Sequence, residues 1–170
     1  MAERMTEWKG GQLVALKVAA STKIEAGKMV GVNSAGYAVE AADASGIKVL
    51  GVADETADNS SGSNGAITVR ILTGKIFKMD NSSTNAVDVA DAGTLVFVED
   101  DETVADAAGT NGVVAGRCIE VASDGVWVQI PASPQVAAQA ASTAEDVAGV
   151  VTSLNALITK LKAAGIMASA

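Results

Sequence analysis

The chain has 170 residues, 49% of them hydrophobic but only 3% aromatic, with a net charge of −8 and no histidine. That length can bury a self-sufficient core without disulfides or metals, and the core has to be built from Val, Ile and Leu rather than from rings. Without histidine, His-based triads, His general bases and most zinc and haem sites are excluded.

Residues 1–11, "MAERMTEWKGG", are charged and carry no apolar h-region, so no signal peptide is expected. They read as a polar arm with Trp8 as an anchor, either a strand-adding element or a frayed terminus. "QLVALKV" (12–18) starts the first strand, and "KMVGV" and "YAVE" form a hairpin around a polar turn ending at Gly36. "IKVLGVAD" (47–54) and "AITVRIL" (66–72) follow as strands, separated by "ETADNSSGSNG", which reads as a mobile surface loop. In the second of these strands Ile67, Val69 and Ile71 alternate with Thr68 and Arg70. "GKIFKMD" (74–80) is expected to set Ile76 on one face against Lys75 and Phe77 on the other.

"TLVFV" (94–98) is the best of the next short strands. "GRCIEVASDGVWVQIP" then reads as a hairpin in which Ile119 and Val121 match Val126, Val128 and Ile130 across "SDG". Pro131 and Pro134 close the β-region. About ten short strands at spacings of ~8–12 residues predict a mainly β fold, an antiparallel sandwich or barrel. No helix-length segment lies between the strands, which excludes a βαβ reading.

The remainder is different. "PASPQVAAQAA" is a semi-stiff connector. Ser142 and Glu145 then form a capping box, with Asp146 near the helix N-terminus, Lys160 and Lys162 in the last turns and Gly165 at the C-cap. The predicted layout is therefore an arm (1–11), a β-domain (12–131), a linker (132–141) and a C-terminal α-helix (142–170). Val147, Val151, Leu154, Ile158 and Leu161 recur at intervals of 4, 3, 4 and 3, a heptad alternation. Val150 and Leu157 widen that face, which suits a trimer seam or docking on the chain's own β-domain. An isolated helix of this length is marginal in water, so the stripe needs a partner.

Little in the chain points to catalysis. Cys118, the only cysteine, lies in the apolar run "VVAGRCIEVA" and reads as a buried core thiol. "GTNGVVAG" lacks the Lys-Ser/Thr of a phosphate loop. Glu99, Asp100, Asp101 and Glu102 could attract a hard cation, but their spacing is not that of a calcium loop and a solvated turn is favoured. Trp8, Tyr37 and Trp127 are too scattered to form a sugar-stacking platform, and Trp127 reads as a core or interface anchor. No nucleophile–base pair is recognisable; the chain is expected to be non-enzymatic and to hold neither metal nor cofactor.

Charge is unevenly spread. Through Lys78 there are nine bases and eight acids; from Met79 to Asp146 Arg117 is the only base against twelve acids. Nucleic acid is thus not an expected partner. The surface is either electrostatically divided or acidic throughout. No apolar run reaches the ~18 residues needed to span a membrane, so a soluble chain is expected.

The order of "VALKVAASTKIEAGKMVGVNSAGYAVEA", "VLGVADETAD", "ITVRILTGKIFKMD", "AGTLVFVEDDETV" and "GRCIEVASDGVWVQIP" resembles the capsid decoration (cement) proteins of tailed bacteriophages over residues 12–131. "VTSLNALITKLKAAGIM" resembles the C-terminal helix of phage head-fibre proteins. The resemblance implies a structural protein on the capsid exterior, made in the host cytoplasm. It also implies binding to the major capsid protein, often as a trimer, with Glu3, Arg4, Trp8 and Lys9 of the arm as candidate capsid contacts. The seam would then be Val147, Val150, Val151, Leu154, Leu157, Ile158 and Leu161. The alternative is a fibre or adhesin-like module that binds a host surface glycan through loop 55–65 and the acidic segment 99–102.

Overall fold

A computed structural model describes residues 11–131 and 147–163, which fall in two compact units divided between Ala132 and Ser133. The expected arm contacts Glu3, Arg4, Trp8 and Lys9, the linker, the capping box at Ser142 and Glu145 and the C-cap at Gly165 lie outside the described residues.

The first unit is all β, with twelve described strands where the sequence pattern suggested about ten. One sheet runs β1 (Leu13–Lys17), β7 (Thr68–Leu72), β5 (Lys48–Ala53), β3 (Met29–Val32), β4 (Ala38–Glu40). A closed barrel is formed by β10 (Thr103–Ala105), β8 (Lys75–Asn81), β12 (Gly125–Ile130), β11 (Val114–Ala122) and β9 (Leu95–Val98). A short ribbon pairs β2 (Thr22–Ile24) with β6 (Ala57–Asn59). An isolated bridge between Val18 and Ala38 is parallel, and the named strands pair antiparallel except for β10 against β8, which is parallel as well. The chain makes that crossover through a 3-10 turn, Val89–Asp91, and strand β9, so no connecting helix was needed.

Two apolar clusters hold the unit together. The larger fills the barrel with Met79, Val96, Val98, Val104, Cys118, Val126, Val128 and Ile130, and takes Met29, Val49 and Val52 from the open sheet. The smaller gathers Val18, Ile24, Val30, Val69 and Ile71 between the open sheet and the β2–β6 ribbon. The open sheet therefore contributes to both cores. Its two faces divide them, Met29 joining the larger cluster and its neighbour Val30 the smaller; a β-bulge also slips the pairing of β3 with β5 between Val30 and Gly31, leaving Leu50 unmatched. Val49 and Val52, an odd number of residues apart, thereby reach the same cluster.

Alternation in β7 is as the sequence suggests, with Val69 and Ile71 buried and Thr68 and Arg70 exposed. Alternation in β8 also holds, with Ile76 on the face opposite Lys75 and Phe77, and the inward set is Phe77 and Met79, because Val126 and Val128 of β12 pair with Met79 and Phe77. Two other expectations are corrected. In β11 a bulge between Cys118 and Glu120 turns Cys118 inward and leaves Ile119 exposed. The segment between β5 and β7 is not a loop throughout: Ala57–Asn59 is strand β6, and its Asn59 is buried.

The second unit contains the helix α1 (Val147–Ala163), inside the predicted helical span. Its 17 residues extend about 26 Å.

Candidate interaction surfaces

On α1, Val150, Val151 and Leu154 are 53%, 50% and 53% exposed. Leu157, Ile158 and Leu161 are half-buried, and the side chain of Val147 lies outside the described set. Exposure on this helix is thus greatest at Val150, Val151 and Leu154 and falls toward Leu161. Gly149 within the helix weakens it relative to Ala, which makes it more dependent on packing.

The four-acid run is a built turn. Asp100 Oδ1 accepts from the amides of Glu102 (2.9 Å) and Thr103 (2.7 Å). Lys28 closes over the turn, with its ammonium 3.6 Å from Asp101 and hydrogen-bonded to Glu102. The Met29 amide donates to the Asp101 carbonyl at 2.6 Å, tying β3 to the turn. The Glu102 hydrogen bond, against the opposing effect of burial, raises the Lys28 ammonium above its ordinary value. Burial pushes the Asp100 carboxyl up, but the donors on it hold it below the usual range. Among the described residues no group of three or more acids, Cys or His is placed to hold a metal ion.

A second carboxylate organises the loop before β11. Asp43 accepts from the amides of Asn111 (3.1 Å) and Val113 (3.3 Å), and the Asn111 side-chain amide donates to the Asp43 carbonyl at 2.7 Å. The amide of Asn111, chiefly, holds the Asp43 carboxyl below the usual range. Beside it opens a cleft of about 370 Å³ whose polar lining is Asp43, Thr84, Asn85, Glu99 and Thr110. That lining holds carboxylates, hydroxyls and amides.

Cys118 is fully buried, and burial raises its thiol above the ordinary value, the opposite of what a nucleophile needs. Tyr37 and Trp127 sit on separate sheets, Tyr37 beside β4 and Trp127 on the barrel. Lys28 and Asp43 had no distinguishing pattern in the sequence. Their partners lie about seventy residues away, and only the fold brings them together.

Comparison with family models, with curated proteins and with solved structures gave no match. Among the described residues no helix is long and apolar enough to cross a membrane.

Proposed function

We propose that this protein is a structural virion protein that decorates the outside of an assembled phage capsid and strengthens it. The reading rests on the order of strand motifs shared with capsid decoration proteins. The single observation that carries it is the open apolar face of α1 at Val150, Val151 and Leu154, on a helix that is marginal in water without packing. A three-chain seam along that face covers these residues and makes the protein trivalent. Each β-domain then contacts adjacent major capsid subunits, and three weak contacts add as avidity rather than as one strong bond. The arm, residues 1–11, is the element that reaches the shell, with Glu3, Arg4, Trp8 and Lys9 as its contacts. In this role the protein is not an enzyme, and its partners are the major capsid protein and its own copies.

Co-sedimentation with empty shells of the major capsid protein encoded in the same genome tests the reading. The full chain is expected to pellet with shells at a saturable ratio and to raise their resistance to heat. Deletion of residues 1–11 is expected to lower occupancy while the β-domain stays folded. Absence of the full chain from the shell pellet overturns the proposal.

A further inference from the structure

The barrel turns one wall outward, built from β8, β12 and β11 side by side. Met79, Val126, Val128 and Cys118 point inward and are buried, so the alternate positions face out. The strand register sets Lys78, Trp127 and Glu120 in one row across the three strands. Ile76, Gln129 and Arg117 form the next row, and the bulge lifts Ile119 beside Glu120. Trp127 is 37% exposed, Ile119 41% and Ile76 49%. Charge on this wall is close to even, Lys78 and Arg117 against Asp80, Glu120 and, at the rim, Asp124, in a chain whose net charge is −8. Two copies of an acidic chain repel over most of their surface; here they need not.

We infer that this wall is a docking face for a second copy of the chain, related by a twofold axis parallel to β12. Such an axis exchanges the β8 and β11 sides of the facing wall. Each Lys78 comes opposite the partner's Glu120, twice per contact, and Trp127 meets its own counterpart at the axis. Ile76 lies over the aliphatic stem of the partner's Arg117. The row is therefore self-complementary, as a twofold contact requires, with an aromatic centre and a polar rim.

Within one chain Lys78 and Glu120 stand two strands apart, roughly 9–10 Å, too far to pair. Lys78 is held at 2.5 Å by Asp124 of the β11–β12 turn. Both groups are well exposed, so that ion pair contributes little and is readily exchanged for one across the interface. Three strands by five residues make a face of about 15 by 17 Å, roughly a third of the ~800 Å² per partner of a standard interface. The wall contact is accordingly weak, formed by itself only at high protein concentration. It does not depend on the capsid reading.

Sedimentation velocity of the full chain over a wide concentration range tests this. The wild type is expected to associate, in steps of two, beyond the species that α1 holds. Lys78→Glu or Glu120→Lys sets like charges opposite each other twice and should weaken that step about tenfold or more. The double variant K78E/E120K restores the complementarity, and should restore the step although Asp124 has lost its lysine. Substitution of Leu154 should alter the α1-held species and leave the twofold step in place. A wild type that shows no such step, single reversals without effect, or a double variant that fails to recover overturns the inference. A wild type that shows the twofold step but no α1-held species counts against the helix seam alone.

Discussion

At the scale of single residues, Asn59 is the buried polar group on which the smaller core turns. Its side-chain amide donates to the carbonyls of Ala19 at 2.7 Å and Ser63 at 2.9 Å, closing the chain between β6 and β7 onto the end of β1. Asn59→Ala leaves both carbonyls short of a donor and is expected to cost about 2–3 kcal/mol in urea unfolding. Gly51 lies so close to the backbone of Leu72 on β7 that a Cβ would strike its carbonyl oxygen. Gly125 combines φ +147° with a Cβ position 2.6 Å from the Met79 carbonyl, so the β11–β12 turn tolerates no side chain there. Asp43 provides a pH-dependent contribution. Its folded pKa is depressed, so the stability it supplies is complete above the ordinary value of about 3.9 and is lost as pH falls through the lower folded value. Asp43→Asn is therefore expected to flatten the acid limb of a stability-versus-pH profile below about pH 4, with the wild type steeper there. An unchanged acid limb would remove Asp43 from that account.

At the scale of elements, the informative cases are the strands whose inward face alternation alone does not decide. "KIFKMDN" contains apolar residues on both faces, Ile76 outward and Phe77 and Met79 inward. Periodicity alone cannot choose between them, because either phase gives an acceptable stripe. The choice is made by β12, whose fully buried Val126 and Val128 pair with Met79 and Phe77. Ile119 shows the same limit in another form: a bulge adds one residue to β11, and simple alternation has no place for it. The helix is the opposite case, since its stripe follows from spacing and α1 presents the residues of that stripe together. If the stripe is a seam, Leu154→Ala should weaken it by about 2–3 kcal/mol per chain. Leu154→Asp should abolish the threefold mass seen by light scattering, with the strand signal in circular dichroism unchanged. A full chain that is already monomeric would refute the seam.

At the scale of the whole molecule, the β-unit has its own two cores and a barrel without free edges. A chain ending at Pro131 is therefore expected to unfold cooperatively by itself. Calorimetry of that truncation checks the point: one transition with enthalpy appropriate to its length is expected, and a broad or absent transition would mean the helical unit is needed for folding. The charge distribution also takes its meaning at this scale. The base-containing first part and the acid-rich second part are stitched where Lys28 closes over Asp101 and Glu102. Because the Lys28 pKa is raised, the part of this stability that depends on the lysine's charge is present below about pH 10.4 and is lost as pH rises through the higher folded value. Lys28→Met should loosen the 99–103 turn, measured as faster amide exchange at Glu102 and Thr103, whose protons are held by Asp100.

Residue order alone accounts for the mainly β character, the β3–β4 and β11–β12 hairpins, the burial of Cys118 and the apolar stripe on the C-terminal helix. Each follows from a few positions: alternation, turn residues, or heptad spacing. It took the assembled fold to close five strands into a barrel, to lay β10 parallel to β8, and to turn Ile76 and Ile119 to solvent while Phe77 and Met79 face the core. Those outcomes depend on which distant strand supplies the neighbouring hydrogen bonds, and on bulges that shift the phase by one residue. Local periodicity carries no record of either.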